Sequence, residues 1–125
     1  MTQSLEDYLE AIYLLCLDKK VARIKDISEK MAVSKPSVIQ AIKELKNADF
    51  LVQEPYGYIE LTVKGTEKAK EILKKHNILK EFLVKIIGVS LENAEKDACK
   101  IEHIISDETF SKIIKFMRKK DEKKA

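Results

Sequence analysis

The stretch IKDISEKMAVSKPSVIQAIKELKNADFLVQEPYGYIELT, residues 24–62, decides the fold. Its first part carries apolar residues at helical spacing up to Met31, and a second helical pattern follows a break at residues 32–34. Ser34 is a good N-cap, and Pro36 stands near the start of the second helix, where a missing N–H has no cost. The pattern predicts two short helices joined by a tight turn. The buried face of the second helix would consist of Val38, Ile42 and Leu45.

Farther along the same stretch, the apolar period changes from helical to alternating. Residues 50–53 and 58–62 alternate around Glu54-Pro55-Tyr56-Gly57, which predicts a β-hairpin with a short turn. Two short helices with a hairpin directly after them are typical of a winged helix-turn-helix domain, which places its second helix in the DNA major groove. The stretch therefore predicts DNA binding.

The flanking sequence is helical on both sides of this stretch. Ser4 is expected to start a first helix, Lys64-Gly65-Thr66 to close the hairpin and cap a long helix, and Gly88 to end that helix. The additional helices are expected over about residues 4–18, 66–87 and 91–105 and from Ser106 onward. The predicted fold class is mainly α. A winged helix-turn-helix DNA-binding domain would occupy residues 1–64 and an all-α domain residues 65–125.

Composition limits the remaining possibilities. The chain has 125 residues with 24 basic and 21 acidic side chains, three Gly and two Pro, which excludes a disordered, collagen-like or disulfide-based protein. Two cysteines without a secretory leader predict a cytoplasmic location, and no apolar run is long enough to predict a membrane span. Residues 112–125 hold seven basic and two acidic residues, and we interpret this tail as a solvated helix end rather than a DNA-binding arm.

The candidate DNA contacts lie at the start of the second helix of the winged unit and at the hairpin tip. Short hydroxyls, an amide and lysines on one surface can reach base edges and phosphates. An amphipathic helix that contacts only other proteins is the alternative, and the hairpin directly after it favours nucleic acid. The expected DNA-binding residues are Ser34, Lys35, Pro36, Ser37, Gln40, Lys43 and Tyr56.

Candidate metal ligands cluster in the second half of the chain. Cys99, Glu102 and His103 stand at i, i+3 and i+4 of a predicted helix, so that one face presents a thiol, a carboxylate and an imidazole. Asp7 and Glu10 are also spaced i, i+3, but acids in a first turn commonly serve the helix dipole. A single histidine such as His76 is more often a surface or half-buried side chain, so spacing alone leaves both interpretations open. Cys16 lies in an apolar stripe and is interpreted as core.

Several segments resemble the diphtheria toxin repressor and manganese transport regulator family of metal-dependent transcriptional repressors, in its short two-domain form. The resemblance covers about residues 2–118. The matching segments are LEDYLEAIY (5–13), ARIKDI (22–27), LTVKG (61–65), KHNILKEFL (75–83), IIGV (86–89) and DACKIEHIISDE (97–108). The resemblance implies that the chain lacks the SH3-like third domain of longer members.

The resemblance also implies a set of metal ligands and a mode of DNA binding. The implied ligands are Asp7, Glu10, His76, Cys99, Glu102 and His103. The winged domain is implied to bind a palindromic operator in double-stranded DNA as a homodimer, with the helices after Gly65 forming the dimer interface.

The sequence departs from both branches of the family. The manganese branch has Glu at the position of Cys99, whereas the iron branch has Cys there and Met at the position of Asp7. Of the three residues that form an ancillary site in the iron branch, only His76 remains, because Lys80 and Glu95 occupy the other positions. Carboxylates favour Mn²⁺ or Fe²⁺ and a thiolate favours Fe²⁺, Co²⁺ or Zn²⁺, so we expect Fe²⁺ with Mn²⁺ close behind, and Co²⁺ or Zn²⁺ in vitro.

These observations predict a metal-activated repressor of metal-homeostasis genes, with no small organic substrate. A winged-helix regulator that responds to an organic ligand or a partner protein, without metal, is the alternative. A metal-dependent hydrolase is disfavoured because it needs an open coordination position and a general base, and the sequence contains no His-Glu-x-x-His motif.

Overall fold

The computed structural model describes residues 1–55 and 57–124, the last two of these by their backbone. The chain forms two compact units, Met1–Ile72 and Leu73–Ala125. The predicted domain boundary after residue 64 stays a prediction.

The first unit contains three helices and a β-hairpin. The helices are α1 (Gln3–Lys19), α2 (Ile24–Met31) and α3 (Lys35–Asn47), and the strands are β1 (Leu51–Gln53) and β2 (Ile59–Leu61). The two strands pair antiparallel, with Leu51 opposite Leu61 and Gln53 opposite Ile59. Ala22 adds an isolated bridge to Ile59, so the segment between α1 and α2 lies along the hairpin. The predicted helices and hairpin of the winged unit are confirmed.

The turn between α2 and α3 follows local chemistry. Ala32 adopts the left-handed conformation at φ 55° and ends α2. Ser34 then caps α3 by accepting the backbone N–H of Ser37 at 3.3 Å, and Pro36 lies in the first turn. Side-chain caps of this kind stabilise a helix by about 1 kcal/mol.

The core of the first unit joins all its elements. Val38, Ile42 and Leu45 of α3 are at most 3% exposed, as predicted, and they pack with Ile12 and Ile59. Each fully buried aliphatic side chain contributes about 1.5–3 kcal/mol to folding. Cys16 is half-buried at the edge of this core rather than inside it.

The second unit consists of the C-terminal part of a long helix, a short π-helical turn and two more helices. These are α4 (Val63–Phe82), the turn Leu83–Ile87, α5 (Leu91–Ile101) and α6 (Asp107–Lys124). Gly88 ends the π turn at φ 85°, a left-handed conformation that glycine adopts easily. The most buried apolar residues of the second unit are Leu79, Ala94 and Ala98. None of the helices in the described part is both long and apolar enough to cross a membrane.

Three helix ends differ from the sequence prediction. Thr2 rather than Ser4 caps α1, because its hydroxyl accepts the N–H of Leu5 at 3.2 Å. Thr62 rather than residues 64–66 caps α4, accepting the N–H of Gly65 at 3.0 Å. α5 ends at Ile101 and not at residue 105. Ser106 then caps α6, as its hydroxyl accepts the N–H of Thr109 at 3.1 Å.

Candidate metal centre and DNA-reading surface

A buried cluster of two imidazoles and a carboxylate lies in the second unit. His76 is carried by α4, while Glu102 and His103 follow the last turn of α5. His76 Nδ1 lies 3.0 Å from Glu102 Oε2, and His103 Nε2 lies 3.2 Å from Glu102 Oε1. The exposed fractions of the three side chains are 7% for His76 and 1% each for Glu102 and His103. Glu102 and His103 were predicted on the helix that carries Cys99, but they lie just after its end. They still come together with His76.

The contacts of His76 fit a metal ligand. Within the described part of the chain, Nδ1 has no hydrogen-bond partner, although Glu102 Oε2 is only 3.0 Å away. Two electron-donating atoms at that distance can face one cation, and imidazole and carboxylate are common ligands of divalent transition metals. The donor set of this cluster therefore fits the metal that the sequence predicts.

The other ring nitrogen of His76 contacts a second carboxylate. His76 Nε2 lies 2.8 Å from Glu95 Oε1, and Lys80 Nζ lies 3.1 Å from Glu95 Oε2. Partial burial opposes ionisation of Glu95, but the hydrogen bonds that its carboxylate accepts from Lys80 and His76 outweigh this effect, so the pKa of Glu95 is lower than usual. No role for Glu95 was predicted from the sequence. Its charge complements Lys80, but no spacing rule connects a residue of α4 with one of α5.

The remaining predicted ligands are carried by other parts of the helices. Asp7 and Glu10 are half-buried side chains of α1, in the first unit. Cys99 lies on α5 in the second unit and is exposed. The structure thus brings three of the six predicted ligands together within the second unit, and the membership of the other three stays a prediction.

The predicted DNA-reading surface is exposed at the start of α3. All its members on that helix are exposed: Ser34, Lys35, Pro36, Ser37, Gln40 and Lys43. The hydroxyls of Ser34 and Ser37 lie 2.9 Å apart, so the two side chains are ordered by each other and by the cap. Tyr56, the predicted contact at the hairpin tip, lies outside the described residues.

One residue of this surface was not predicted from the sequence. Ile39 is 52% exposed and stands between Lys35 and Lys43 at helical spacing i, i+4. Apolar side chains in the major groove contact the methyl group of thymine. The position of an apolar residue between two lysines on one helix face could have identified Ile39 from the sequence.

Arg23 makes two contacts with Tyr58, the residue between the hairpin turn and β2. The Arg23 guanidinium lies 4.6 Å from the centre of the Tyr58 ring and also donates a hydrogen bond to the Tyr58 hydroxyl. Tyr58 is therefore engaged inside the first unit, and Arg23 adds a positive charge beside the hairpin.

Both halves of the chain match descriptions of one protein family. Residues 1–59 match "Iron dependent repressor, N-terminal DNA binding domain", and residues 62–124 match "Iron dependent repressor, metal binding and dimerisation domain".

Individual relatives agree with these matches. An uncharacterised HTH-type transcriptional regulator of Methanocaldococcus jannaschii is 38% identical over 120 residues, which cover 95% of this chain and 96% of that protein. The HTH-type transcriptional regulator MntR of Shouchella clausii is 41% identical over 112 residues, covering 90% and 78%. The solved structure of the manganese regulator SloR superposes with a TM-score of 0.82 at 31% identity over 94% of this chain. This chain spans about half of SloR, 55% of its length.

Proposed function

The chain belongs to the iron dependent repressor family of transcriptional regulators, and we propose that it represses transcription from operator DNA as a homodimer when it holds a divalent metal, Fe²⁺ or Mn²⁺. The family matches confirm the predicted family and the mainly helical fold class. The family consists of transcriptional repressors rather than enzymes. The proposal adds that the operator is palindromic and that the chain acts on no small organic substrate.

The observation that supports metal binding most directly is the cluster of His76, Glu102 and His103. Its three side chains are buried, and an imidazole nitrogen without a hydrogen bond in the described residues lies 3.0 Å from a carboxylate oxygen. A regulator that senses an organic ligand has no need for this set of donor atoms. The cluster therefore favours the metal-dependent repressor over the alternative without metal.

We extend the ligand set to all six residues that the family resemblance implies. Asp7 and Glu10 would bind from the first unit, and His76, Cys99, Glu102 and His103 from the second. When bound, the cation supplies positive charge to these carboxylates and restricts the relative motion of the two units. Ligand hardness favours Fe²⁺, with Mn²⁺ close behind, because the set combines carboxylates, imidazoles and one thiolate.

DNA binding belongs to the exposed surface at the start of α3. Its hydroxyls and its amide would contact phosphates and base edges, and a dimer would present two such helices to major grooves one helical turn apart, about 34 Å. A single winged unit makes few phosphate contacts, so binding by an isolated protomer would be weak. Restricted motion within the dimer would raise operator affinity by fixing the distance between the two reading helices.

The test is an anaerobic selection of duplex DNA from a random library. Purified protein is incubated with the library and either Fe²⁺, Mn²⁺ or a chelator, and the enriched sequences are titrated by fluorescence anisotropy. We expect palindromic sequences to be enriched only with metal, and their affinity to fall when the chelator is added. Glu102→Gln should abolish the metal effect, whereas Glu92→Gln on the exposed surface of α5 serves as the matched control.

The result that contradicts the proposal is equally direct. If the enriched DNA binds with the same affinity in saturating metal and in chelator, metal does not control DNA binding. If the protein keeps no divalent metal after anaerobic dialysis yet binds DNA specifically, it is a winged-helix regulator that responds to an organic ligand or a partner protein.

A further inference from the structure

His76 stands between two carboxylates that meet its ring differently. Nε2 lies in hydrogen-bond contact with Glu95 Oε1 at 2.8 Å. Nδ1 lies 3.0 Å from Glu102 Oε2 but makes no hydrogen bond in the described part of the chain. A neutral imidazole carries one N–H and one lone pair, and a carboxylate can only accept. The contact with Glu95 therefore assigns the proton to Nε2 and the lone pair to Nδ1.

Glu95 is itself held in place. Its second oxygen lies 3.1 Å from the Lys80 ammonium, and Lys80 and His76 belong to the same helix, α4. The Glu95 side chain is 54% exposed, whereas His76 is 7% exposed. The carboxylate thus reaches from the surface of α5 to the buried ring, and the ammonium fixes the oxygen that does not touch the ring.

We infer that Glu95 is a positioning residue for the metal centre: its carboxylate holds the Nε2 proton of His76, so that Nδ1 is the metal-binding atom, and Lys80 anchors that carboxylate. The inference rests on the proposed metal-dependent function and adds to it a residue and a ligand atom. Carboxylates that accept the outer N–H of a ligating imidazole fix its orientation and increase its basicity, and their removal costs about 10–100-fold in metal affinity.

The hydrogen bond and the negative charge of Glu95 can be separated by substitution. Glu95→Ala removes both, while Glu95→Gln removes the charge and keeps an oxygen that can accept from Nε2. The matched control is Glu92→Gln, because Glu92 lies on the same helix and pairs with Lys96 at 3.4 Å, with both side chains exposed. All three substitutions alter exposed or half-exposed side chains, and far-UV circular dichroism checks that each variant keeps its helices.

The measurement has two parts. Mn²⁺ dissociation constants are obtained from the electron paramagnetic resonance signal of the free ion, with no DNA present. Nitrogen-15 NMR of the metal-free protein reports whether the Nε2 proton of His76 is retained in slow exchange with water. We expect Glu95→Ala to weaken Mn²⁺ binding by about 10–100-fold and to lose the Nε2 proton signal. Glu95→Gln should keep the signal and recover most of the affinity, and Glu92→Gln should match the wild type in both.

Each remaining outcome overturns a defined statement. Wild-type affinity in Glu95→Ala means that Glu95 does not position the ligand, while the proposed function stands. Equal losses in the alanine and glutamine variants mean that only the charge of Glu95 acts, and the inference fails. A wild-type protein that does not bind Mn²⁺, Fe²⁺ or Co²⁺ overturns the proposed function and the inference together.

Discussion

Gly65 lies where the hairpin meets α4, and the substitution Gly65→Ala tests how closely these elements pack. A Cβ built at this position would lie 1.8 Å from the carbonyl oxygen of Phe50 and 2.8 Å from its carbonyl carbon. The oxygen is backbone and accepts the N–H of Thr62 at 3.2 Å, so it cannot turn away as a flexible side chain would. The extra methyl group must therefore move α4 or the segment before β1.

The change in the free energy of unfolding is the sum of one stabilising and two destabilising terms. Alanine is favoured over glycine inside a helix by about 1 kcal/mol. Overpacking in a close-packed region costs about 1–3 kcal/mol, and loss of the hydrogen bond between Thr62 and Phe50 costs about 0.5–1.5 kcal/mol more. The contact is about 1.6 Å shorter than ordinary van der Waals contact, which places the overpacking cost at the upper end of its range. We expect Gly65→Ala to lower the free energy of unfolding by about 2.5–3.5 kcal/mol.

Urea denaturation of the metal-free protein, followed by circular dichroism, measures this free energy. Protein concentration must be the same throughout, because the stability of a dimer depends on it. Gly57→Ala is the control. Gly57 has φ 84°, and apart from its chain neighbours no described residue has a heavy atom within 4 Å of an added methyl group, so only backbone strain of about 1–2 kcal/mol is expected. If Gly65→Ala has the same free energy of unfolding as the wild type and the same dependence of that free energy on urea concentration, the expectation is refuted. Gly65 would then not pack closely against Phe50.

Three more predictions concern the metal and DNA surfaces. Cys99→Glu should raise the affinity for Mn²⁺ relative to Co²⁺ in competition titrations, because a hard carboxylate replaces a soft thiolate; an unchanged order would mean that the thiol does not bind metal. Iodoacetamide should modify exposed Cys99 faster than Cys16 in mass spectrometry, because burial and the nearby Glu60 charge raise the pKa of the Cys16 thiol, and equal rates would contradict this. Lys43→Ala should reduce the slope of log K for DNA binding against log salt concentration by about one without changing sequence preference. Gln40→Ala should relax the preference at one base pair and cost about 1–3 kcal/mol of binding free energy. The opposite pattern would mean that Lys43 contacts a base and Gln40 a phosphate.

The fold could be predicted where a local signal has no competitor. Ser34, followed by Pro36 two residues later, identifies the start of α3, and Gly88 ends the long helical segment. The start of α1 was misplaced by two residues because Thr2 and Ser4 are both good caps. Which hydroxyl reaches an N–H depends on where the helix begins, and the apolar pattern does not fix that to a single residue.

The candidate site could be predicted only in its local part. Glu102 and His103 are neighbours in sequence, so their proximity needs no tertiary information. The contacts of His76 depend on the packing of α4 against α5, and no periodicity relates residue 76 to residues 95 and 102. For the same reason, the sequence identified Glu95 as a departure from a family pattern but not as a partner of the histidine ring.

The proposed mechanism couples metal binding to DNA binding, and this coupling imposes a thermodynamic requirement. The reading surface on α3 belongs to the first unit, and the cluster around His76 belongs to the second. If metal raises operator affinity by a given factor, operator DNA must raise metal affinity by the same factor. A tenfold effect corresponds to a coupling of about 1.4 kcal/mol.

This requirement can be measured from the metal side. Mn²⁺ is titrated into the protein alone and into its complex with the selected operator, and a duplex of scrambled sequence is the control. We expect the operator to lower the Mn²⁺ dissociation constant by the factor found in the anisotropy titration, and the scrambled duplex to change it less. Equal Mn²⁺ affinities with and without operator would mean that the cation stabilises the second unit without controlling α3, and the chain would then bind both metal and DNA without being a metal-dependent repressor.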